Sequence, residues 1–197
     1  LTVGSRLPPE RALSEQFGVS RNTVREALRS LEHAGLIRLQ KGASGGAFIS
    51  ERSGEAIVTG LMDLYHVGAI QPVQLTEARI WIESVVVREA CRKATVEQLA
   101  ELRRNVDEAE DAQQKKDFAR RAERHLEFHR MLARMTGNPI IEVFMDSLMT
   151  VLGHYIKSIG DYDNLYVIPS RRRFLKHMED GDVSAAIAEM ESSLLRL

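Results

Sequence analysis

Residues 18–38, GVSRNTVREALRSLEHAGLIR, form the stretch that decides the fold of the N-terminal part of the chain. Its apolar residues recur at the three- and four-residue spacing of one buried helix face, at Val24, Ala27, Leu28, Leu31 and Ala34. Ser20 is suited to cap the start of this helix, and Gly35 is suited to end it. The stretch therefore predicts a short amphipathic helix.

The opposite face of this predicted helix carries side chains that suit DNA, namely Arg21, Asn22, Thr23 and Arg25. Arginine can donate two hydrogen bonds to a guanine edge, asparagine can pair with adenine, and all four residue types can hold phosphates. An ordinary helix with a solvated basic face has the same composition. The flanking sequence has to decide between a recognition helix and this alternative.

The flanks favour the recognition helix. Upstream, residues 7–20 (LPPERALSEQFGVS) predict a helix that starts at a proline pair and ends in a tight turn at Gly18. Downstream, residues 36–50 (LIRLQKGASGGAFIS) place two short apolar runs on either side of a glycine-rich loop, which predicts a β-hairpin. Helix, turn, helix and hairpin in this order predict a winged helix-turn-helix.

The same residues resemble the DNA-binding domain of the GntR-type bacterial transcription regulators. The resemblance rests on the Pro-Glu-Arg start, the Val-Ser-Arg turn, the Thr-Val-Arg-Glu-Ala-Leu helix and the glycine-rich hairpin. It implies one further helix before residue 1. It also implies base reading by Arg21 and Arg25, and phosphate or groove contacts by Arg11 and Lys41. The full set of implied DNA contacts is Arg11, Arg21, Asn22, Thr23, Arg25, Lys41 and Gly42.

The charge of the chain is divided unevenly along its length. Residues 1–50 hold seven Lys or Arg against four Glu, a net charge of +3, which leaves −4 for the rest of a chain whose total is −1. A basic N-terminal part can be attracted to phosphate while an acidic remainder avoids nucleic acid. Three surplus charges are few, so two linked copies should bind DNA better than one.

Composition excludes several classes of protein. At 197 residues and 44% hydrophobic content the chain can form two domains with packed cores. It lacks the run of roughly 20 apolar residues that a membrane-spanning helix needs, and its single cysteine, Cys91, suits a reducing cytoplasm. His125, Glu127 and His129 lack the metalloprotease order, and no other catalytic motif is present, so the sequence predicts that the chain is not an enzyme.

Beyond the winged domain the pattern is helical throughout. Residues 1–50 are predicted to form the DNA-binding domain, residues 51–56 a linker, and residues 57–197 an all-α bundle of six to seven helices. The fold class is therefore mostly α. The predicted helices span about 54–67, 73–92, 95–114, 117–135, 139–159, 168–179 and 183–197.

The bundle resembles the FCD-type ligand-sensing domain of the FadR-like branch of the GntR family. This looser resemblance rests on Glu77-Ala78-Arg79 with Glu83, Phe128-His129, Thr136-Gly137-Asn138, and Gly181-Asp182. Many relatives hold a divalent metal through one aspartate and three histidines. Two of those positions fall on His125 and His129, but the other two fall on Arg171 and Ser193.

Arginine at a ligand position places a permanent positive charge where a cation would bind. No metal is therefore favoured; zinc or nickel held by His125 and His129, with help from His154 or His177, is the alternative. We expect positive charge to have replaced the metal, so that a small carboxylate metabolite binds directly to the protein. The predicted effector-binding residues are Arg79, His125, His129, Asn138, Arg171 and Ser193.

Structural roles compete with this interpretation. Arg79 could instead form a salt bridge to Glu83, and Arg171 could be a solvated member of the run 171–173. His125 and His129 could be buried, hydrogen-bonded histidines without a ligand. Each alternative predicts a different degree of burial and different hydrogen-bond partners for these side chains.

The sequence as a whole predicts a cytoplasmic transcription regulator that responds to a ligand. We expect a repressor that binds a short palindromic operator as a homodimer, with its DNA affinity altered by a small organic acid bound in the bundle. A metal-dependent sensor of the same family is one alternative. A DNA-binding protein without a small-molecule effector is the other.

Overall fold

The computed structural model describes residues 2–42, 45–50, 55–160 and 164–196. Within these ranges the chain forms nine helices and one two-stranded antiparallel sheet, which confirms the mostly α prediction. The chain divides into two compact units, an N-terminal unit of residues 1–60 and a C-terminal unit of residues 61–197. Of the predicted linker, residues 51–54 lie outside the described ranges, and residues 55 and 56 begin a helix.

The N-terminal unit has the element order of a winged helix-turn-helix: α1 (Glu10–Phe17), α2 (Arg21–His33), β1 (Ile37–Gln40) and β2 (Gly46–Ile49). Ser20 caps α2 as predicted, since its Oγ accepts a hydrogen bond from the backbone N–H of Thr23 at 3.1 Å. Gly18 ends α1 with φ of +66°, a left-handed conformation that glycine adopts without strain.

The two strands form the predicted hairpin, with Ile37 opposite Ile49 and Gln40 opposite Gly46. The chain before α1 lies along the free edge of β2, because the backbone N–H of Leu7 donates to the carbonyl of Ala47 at 2.8 Å. Lys41 and Gly42 begin the connection between the strands, whose residues 43 and 44 lie outside the described ranges.

The core of the N-terminal unit is smaller than the sequence predicts. Its buried residues are Val24, Leu28, Ile37 and Ala47. The predicted burial of Ala27, Leu31 and Ala34 is wrong, because α1 and the hairpin cover only the side of α2 that carries Val24 and Leu28.

The remaining helices agree with their predicted spans to within a few residues. They are α3 (Glu55–His66), α4 (Pro72–Lys93), α5 (Val96–Gln114), α6 (Phe118–Met135), α7 (Pro139–Ile159), α8 (Val167–Glu179) and α9 (Val183–Leu194). The division between the two units falls within α3. Thr95 and Gln98 form the predicted capping box at the start of α5, with backbone-to-side-chain hydrogen bonds of 3.0 and 3.2 Å.

The bundle of the C-terminal unit packs α5 on α6, α6 on α7, α4 on α9 and α8 on α9 around one apolar core. Several charged side chains lie inside this core, where charged residues are rarely found unless they are paired: Arg79, Glu83, Arg121 and Arg171. No helix within the described residues is long and apolar enough to cross a membrane. The buried charges mark the part of the bundle to be considered as a site.

Candidate functional site

The predicted DNA contacts all lie on the surface of the N-terminal unit. Four are on α2, one is on α1 and two are at the end of β1; every one of these residues is exposed: Arg11, Arg21, Asn22, Thr23, Arg25, Lys41 and Gly42. The Thr23 hydroxyl lies 2.9 Å from the Ser20 hydroxyl, so it takes part in the cap of α2 as well. The DNA contacts themselves stay predictions.

Glu10 is the acid that faces the two arginines predicted to read bases. Its Oε1 and Oε2 accept hydrogen bonds from Arg25 Nε at 3.3 Å and Arg25 Nη2 at 3.0 Å, and Arg21 Nη2 lies 3.8 Å from Oε2. The hydrogen bonds from Arg25 lower the pKa of the Glu10 carboxyl. This pair links the first turn of α1 to the second turn of α2.

The C-terminal unit contains a cavity of about 600 Å³ bounded by α4, α6, α7 and α8. Four of the six predicted effector-binding residues line it: Arg79, His125, His129 and Arg171. Asn138 and Ser193 are not among its lining residues. Asn138 caps α7, since its Oδ1 accepts from the backbone N–H of Ile140 at 3.0 Å, and Ser193 is buried on α9. An effector role for these two residues remains a prediction.

Four of the buried side chains form one connected group, which we name the buried cluster: Arg79, Glu83, His129 and Arg171. Arg79 Nε donates to Glu83 Oε1 at 3.0 Å, and the other carboxylate oxygen contacts His129 Nδ1. On its opposite side the imidazole faces two guanidinium groups, with Arg171 Nη2 at 2.6 Å and Arg79 Nη2 at 3.3 Å from His129 Nε2. The predicted alternative of an Arg79–Glu83 salt bridge is therefore present, and Arg79 also lines the cavity.

These contacts fix the proton of His129. A guanidinium group only donates hydrogen bonds, so Nε2 must be the acceptor and Nδ1 must carry the hydrogen that Glu83 accepts. Burial and the nearby Arg171 lower the pKa of His129 to about 4, although Glu83 acts in the opposite direction. Burial raises the pKa of Glu83, but its contacts with His129, Arg79 and Arg171 outweigh that effect and lower it to about 2. At neutral pH the imidazole is neutral and the carboxylate is ionised.

Arg171 is a buried cation that forms no ion pair with any described residue. Its guanidinium carbon lies 3.8 Å from the centre of the Phe128 ring, and Nη1 lies 3.9 Å from Met190 Sδ. Nε has no hydrogen-bond partner in the part of the chain that the structure describes. Burial lowers the pKa of Arg171 to about 9, so it still carries its charge at neutral pH. The alternative that Arg171 is solvated is wrong, since only 5% of the residue is exposed.

His125 lies one helical turn before His129 on the same cavity wall. Its Nε2 is buried and has no hydrogen-bond partner within the described part of the chain. Burial, together with the charges of Arg171 and Arg121, lowers the pKa of His125 to about 3. His125 is therefore a neutral group with an unused nitrogen, which can donate to or accept from a ligand.

The residues present do not suit the metal that the resemblance implies. Both nitrogens of His129 are engaged, one by Glu83 and the other by Arg171, and a cation there would lie against a guanidinium group. His154 lines the cavity, but its Nδ1 lies 2.9 Å from the carbonyl of Thr150. Among the described residues no three His, Cys, Asp or Glu side chains are close enough together to hold a metal ion.

Sequence reasoning missed several charged residues of the cavity wall, namely Arg121, Glu123, Arg130 and Lys157. Arg121 had a readable signal, because it precedes His125 by four residues and so lies on the same face of α6. No such signal marks Glu123, Arg130 and Lys157, because the sequence does not show which surface charges of α6 and α7 border a cavity.

Two families match the chain. Residues 74–195 match the FCD domain, and residues 1–48 match the gntR family of bacterial regulatory proteins. The HTH-type transcriptional repressor NanR of Cronobacter sakazakii is 38% identical over 142 residues, which cover 70% of this chain and 52% of that protein. The repressor NanR of Salmonella newport is 37% identical over 142 residues, which again cover 70% of this chain and 52% of that protein. The chain thus spans about half the length of the curated relatives that it matches.

Solved structures agree with this assignment. The Streptococcus agalactiae GntR structure aligns with a TM-score of 0.73 at 25% identity, over 99% of this chain and 89% of that one. The E. coli McbR/YncC structure aligns with a TM-score of 0.58 at 20% identity, over 100% and 86%, and supports the fold alone. The matched family and the curated relatives are named as regulatory proteins and transcriptional repressors, not as enzymes, which agrees with the prediction from the sequence. The chain therefore belongs to the gntR family of bacterial regulatory proteins, with an FCD domain after its winged helix-turn-helix.

Proposed function

We propose that this protein is a cytoplasmic, ligand-responsive transcription repressor. Residues 1–50 bind operator DNA, residues 57–197 bind a small organic acid, and two copies act together as a homodimer on a short palindrome. One observation carries the effector part of this proposal: Arg171 is a buried cation that pairs with no carboxylate among the described residues, and it faces a cavity of about 600 Å³. A buried charge of this kind is costly, and an anionic ligand would compensate it.

The chemistry of the cavity defines the class of ligand. A carboxylate can accept hydrogen bonds from Arg171 and from the unused nitrogen of His125, bonds that are strong because one partner is charged. The other walls are largely apolar and include Leu126, Met149 and Ile156. An anion with an organic body matches these walls better than an inorganic ion does.

The DNA-binding part rests on the position of the basic residues. Arg21, Asn22 and Arg25 lie together on the exposed start of α2, which is the part of a recognition helix that approaches base edges. Arg11 on α1 and Lys41 at the hairpin are suited to phosphates. A net charge of +3 on residues 1–50 gives one copy only modest attraction for DNA.

A homodimer would place two such surfaces on one operator. The exposed face of α4 carries Val73, Trp81 and Val85 at helical spacing, and Trp81 is 70% exposed. In an antiparallel pairing of two α4 helices, Glu77 of one copy would face Arg88 of the other. Two-fold symmetry would form this contact between opposite charges twice. Trp81 is the single tryptophan of the chain, so its fluorescence reports directly on this face.

Substitution of Trp81 tests the dimer. We expect the unmodified chain to sediment as a dimer, and Trp81→Glu to sediment as a folded monomer with weaker operator binding. A dimer that survives this change would move the interface elsewhere.

Regulation requires that the acid prefer one arrangement of the bundle. A ligand that binds two arrangements equally shifts neither, whatever its affinity. We propose that occupation of the cavity draws Arg171 away from His129 Nε2 towards the carboxylate. This change repacks α8 against α6 and alters the spacing of the two DNA-binding domains in the dimer.

A thermal-shift screen against a panel of organic acids tests the effector. We expect at least one acid to raise the Tm of the unmodified protein and to leave the Tm of Arg171→Met unchanged. Arg172→Met is the matched control, because Arg172 is the next residue of α8 and pairs with Asp107 and Glu110 at the surface.

Two outcomes of this screen would contradict the proposal. Stabilisation by none of the acids would favour a DNA-binding protein without an effector. A stoichiometric metal found by elemental analysis of the purified protein would favour the metal-dependent sensor.

A further inference from the structure

Glu10 holds one edge of the Arg25 guanidinium group and leaves another edge exposed. Its two oxygens contact Nε and Nη2, which together form the side edge of the guanidinium group. Arg25 Nη1 has no hydrogen-bond partner among the described residues, so the outer edge formed by Nη1 and Nη2 keeps its donors. Such an outer edge can donate two parallel hydrogen bonds to O6 and N7 of guanine.

We infer that Glu10 is a specificity-determining residue of the DNA-binding surface, which acts by positioning Arg25. The inference rests on the proposed role of Arg25 in base reading. By holding the side edge, Glu10 restricts the rotamers of a long side chain before DNA arrives. Less conformational freedom is then lost when the outer edge meets a base.

The carboxylate has a second effect, on the choice between bases and phosphates. It cancels the charge of Arg25 locally, and Arg21 is close enough to share this effect, at 3.8 Å. Attraction to phosphate depends on net charge, whereas hydrogen bonding to a base edge depends on the donors that remain. Glu10 therefore weakens binding to DNA of any sequence and leaves base reading in place.

Glu10→Gln in the full chain tests this inference. The DNA is a duplex selected by the unmodified protein from a randomised pool, with a scrambled duplex of equal length and composition as the comparison. We expect the ratio of the two affinities to fall about fivefold, less than on removal of Arg25, because the base contact is kept and only the prior ordering of one long side chain is lost. We also expect tighter binding to the scrambled duplex and a salt dependence steeper by about one unit of slope.

Glu26→Gln is the matched control. Glu26 lies on α2 and pairs at the surface with Arg29, at 3.3 Å, so its substitution adds the same charge without releasing Arg25. We expect Glu26→Gln to leave the affinity ratio within about twofold of the unmodified protein. Glu10→Asp keeps the charge but is too short for the two-oxygen contact, so it should lower the ratio without tightening binding to the scrambled duplex.

A double-mutant cycle separates the inference from the function on which it rests. If Glu10 positions Arg25, then Glu10→Gln leaves the affinity ratio unchanged in an Arg25→Ala background, although binding to both duplexes tightens through the added charge. An unchanged ratio in folded Glu10→Gln, or the same fall without Arg25, would overturn the positioning role. If Arg25→Ala alone keeps the full ratio, the proposed base reading by Arg25 is what fails.

Discussion

Arginine side chains are used in opposite ways in the two units of this protein. In the N-terminal unit, Arg21 and Arg25 lie at the surface and share the carboxylate of Glu10. In the C-terminal unit, Arg171 is buried, and its closest polar contact among the described residues is a neutral imidazole rather than an acid. The first arrangement lowers the net charge but leaves hydrogen-bond donors at the surface, where a large partner in water would meet them. The second leaves a buried charge only partly compensated, and a small anion would complete its compensation.

The difference follows from solvent screening. An exposed ion pair contributes little to folding stability, because water already solvates both charges. A buried charge gives up its hydration and regains free energy only from the groups around it. In this protein those groups stop short of full compensation at Arg171, and this shortfall is the feature that a ligand would use.

The largest expected effect of burial on a charge pair should come from Glu83, in the C-terminal unit. Glu83→Gln leaves Arg79 buried without a counter-charge, and breaking a buried pair in this way destabilises a protein by about 3–5 kcal/mol. Glu89→Gln on the same helix breaks an exposed pair with Arg92 and should cost about 1 kcal/mol or less. Denaturant unfolding measures both, and equal losses would show that burial does not distinguish the two kinds of charge pair.

Acid should destabilise the C-terminal unit through its neutral histidines. The pKa of His125 is lowered to about 3 and that of His129 to about 4 in the folded chain, from a usual value of 6.5. Below pH 6.5 the unfolded chain therefore binds protons at these histidines, whereas the folded chain keeps both imidazoles neutral until the pH is much lower. Stability should therefore fall by about a few kcal/mol between pH 7 and pH 4. Unfolding curves across this range test the effect, and His125→Gln should make the fall shallower. A flat profile would contradict the buried, neutral state.

The sequence predicts the helices and strands of both units, because the ends of these elements are determined by residues close to them in the chain. Ser20, the Thr95–Gln98 pair and the Gly137-Asn138 break act within one turn of their own position, so their effect is readable without a structure. The buried cluster is not readable in this way. Glu83 and His129 are 46 residues apart, and only the packing of α4 on α6 brings them into contact.

The same reasoning explains the errors. The burial of Leu31 depends on what packs against α2, which periodicity does not tell. Arg171 stands in a run of three arginines that looks like a solvated surface, and only the resemblance to FCD domains placed it in the cavity. Neutral residues follow local rules more closely than charges do, because the cost of a buried charge depends on every group around it.

In the N-terminal unit, loss of one base contact should have a smaller effect than the loss of Glu83 or acidification. Arg25→Ala should lower the preference for the selected duplex over the scrambled one by about tenfold, because one bidentate contact is lost. Arg29→Ala on the same helix should weaken both duplexes equally or not at all. Fluorescence anisotropy at fixed salt measures both variants, and an equal preference in Arg25→Ala and the unmodified protein would remove Arg25 from the reading surface.

The smallest expected effect concerns the helix that carries these arginines. Ser20→Ala removes the cap of α2 and should cost about 1 kcal/mol of stability. Ser30→Ala, further along the same helix, removes no cap and should cost nothing. Thermal unfolding compares the two, and equal Tm values would show that α2 does not depend on its N-terminal cap.

The central claim is that the partly compensated charge of Arg171 links a carboxylate in the cavity to operator binding. Anisotropy of the labelled selected duplex, titrated with the unmodified chain and with Arg171→Met, tests it with the organic acid found by thermal shift. Arg171→Met is preferable to a substitution of Arg79, which would leave Glu83 buried without its partner. We predict equal operator affinity without the acid, and an acid-dependent change in the unmodified chain alone. An equal response of Arg171→Met to the acid would contradict the account.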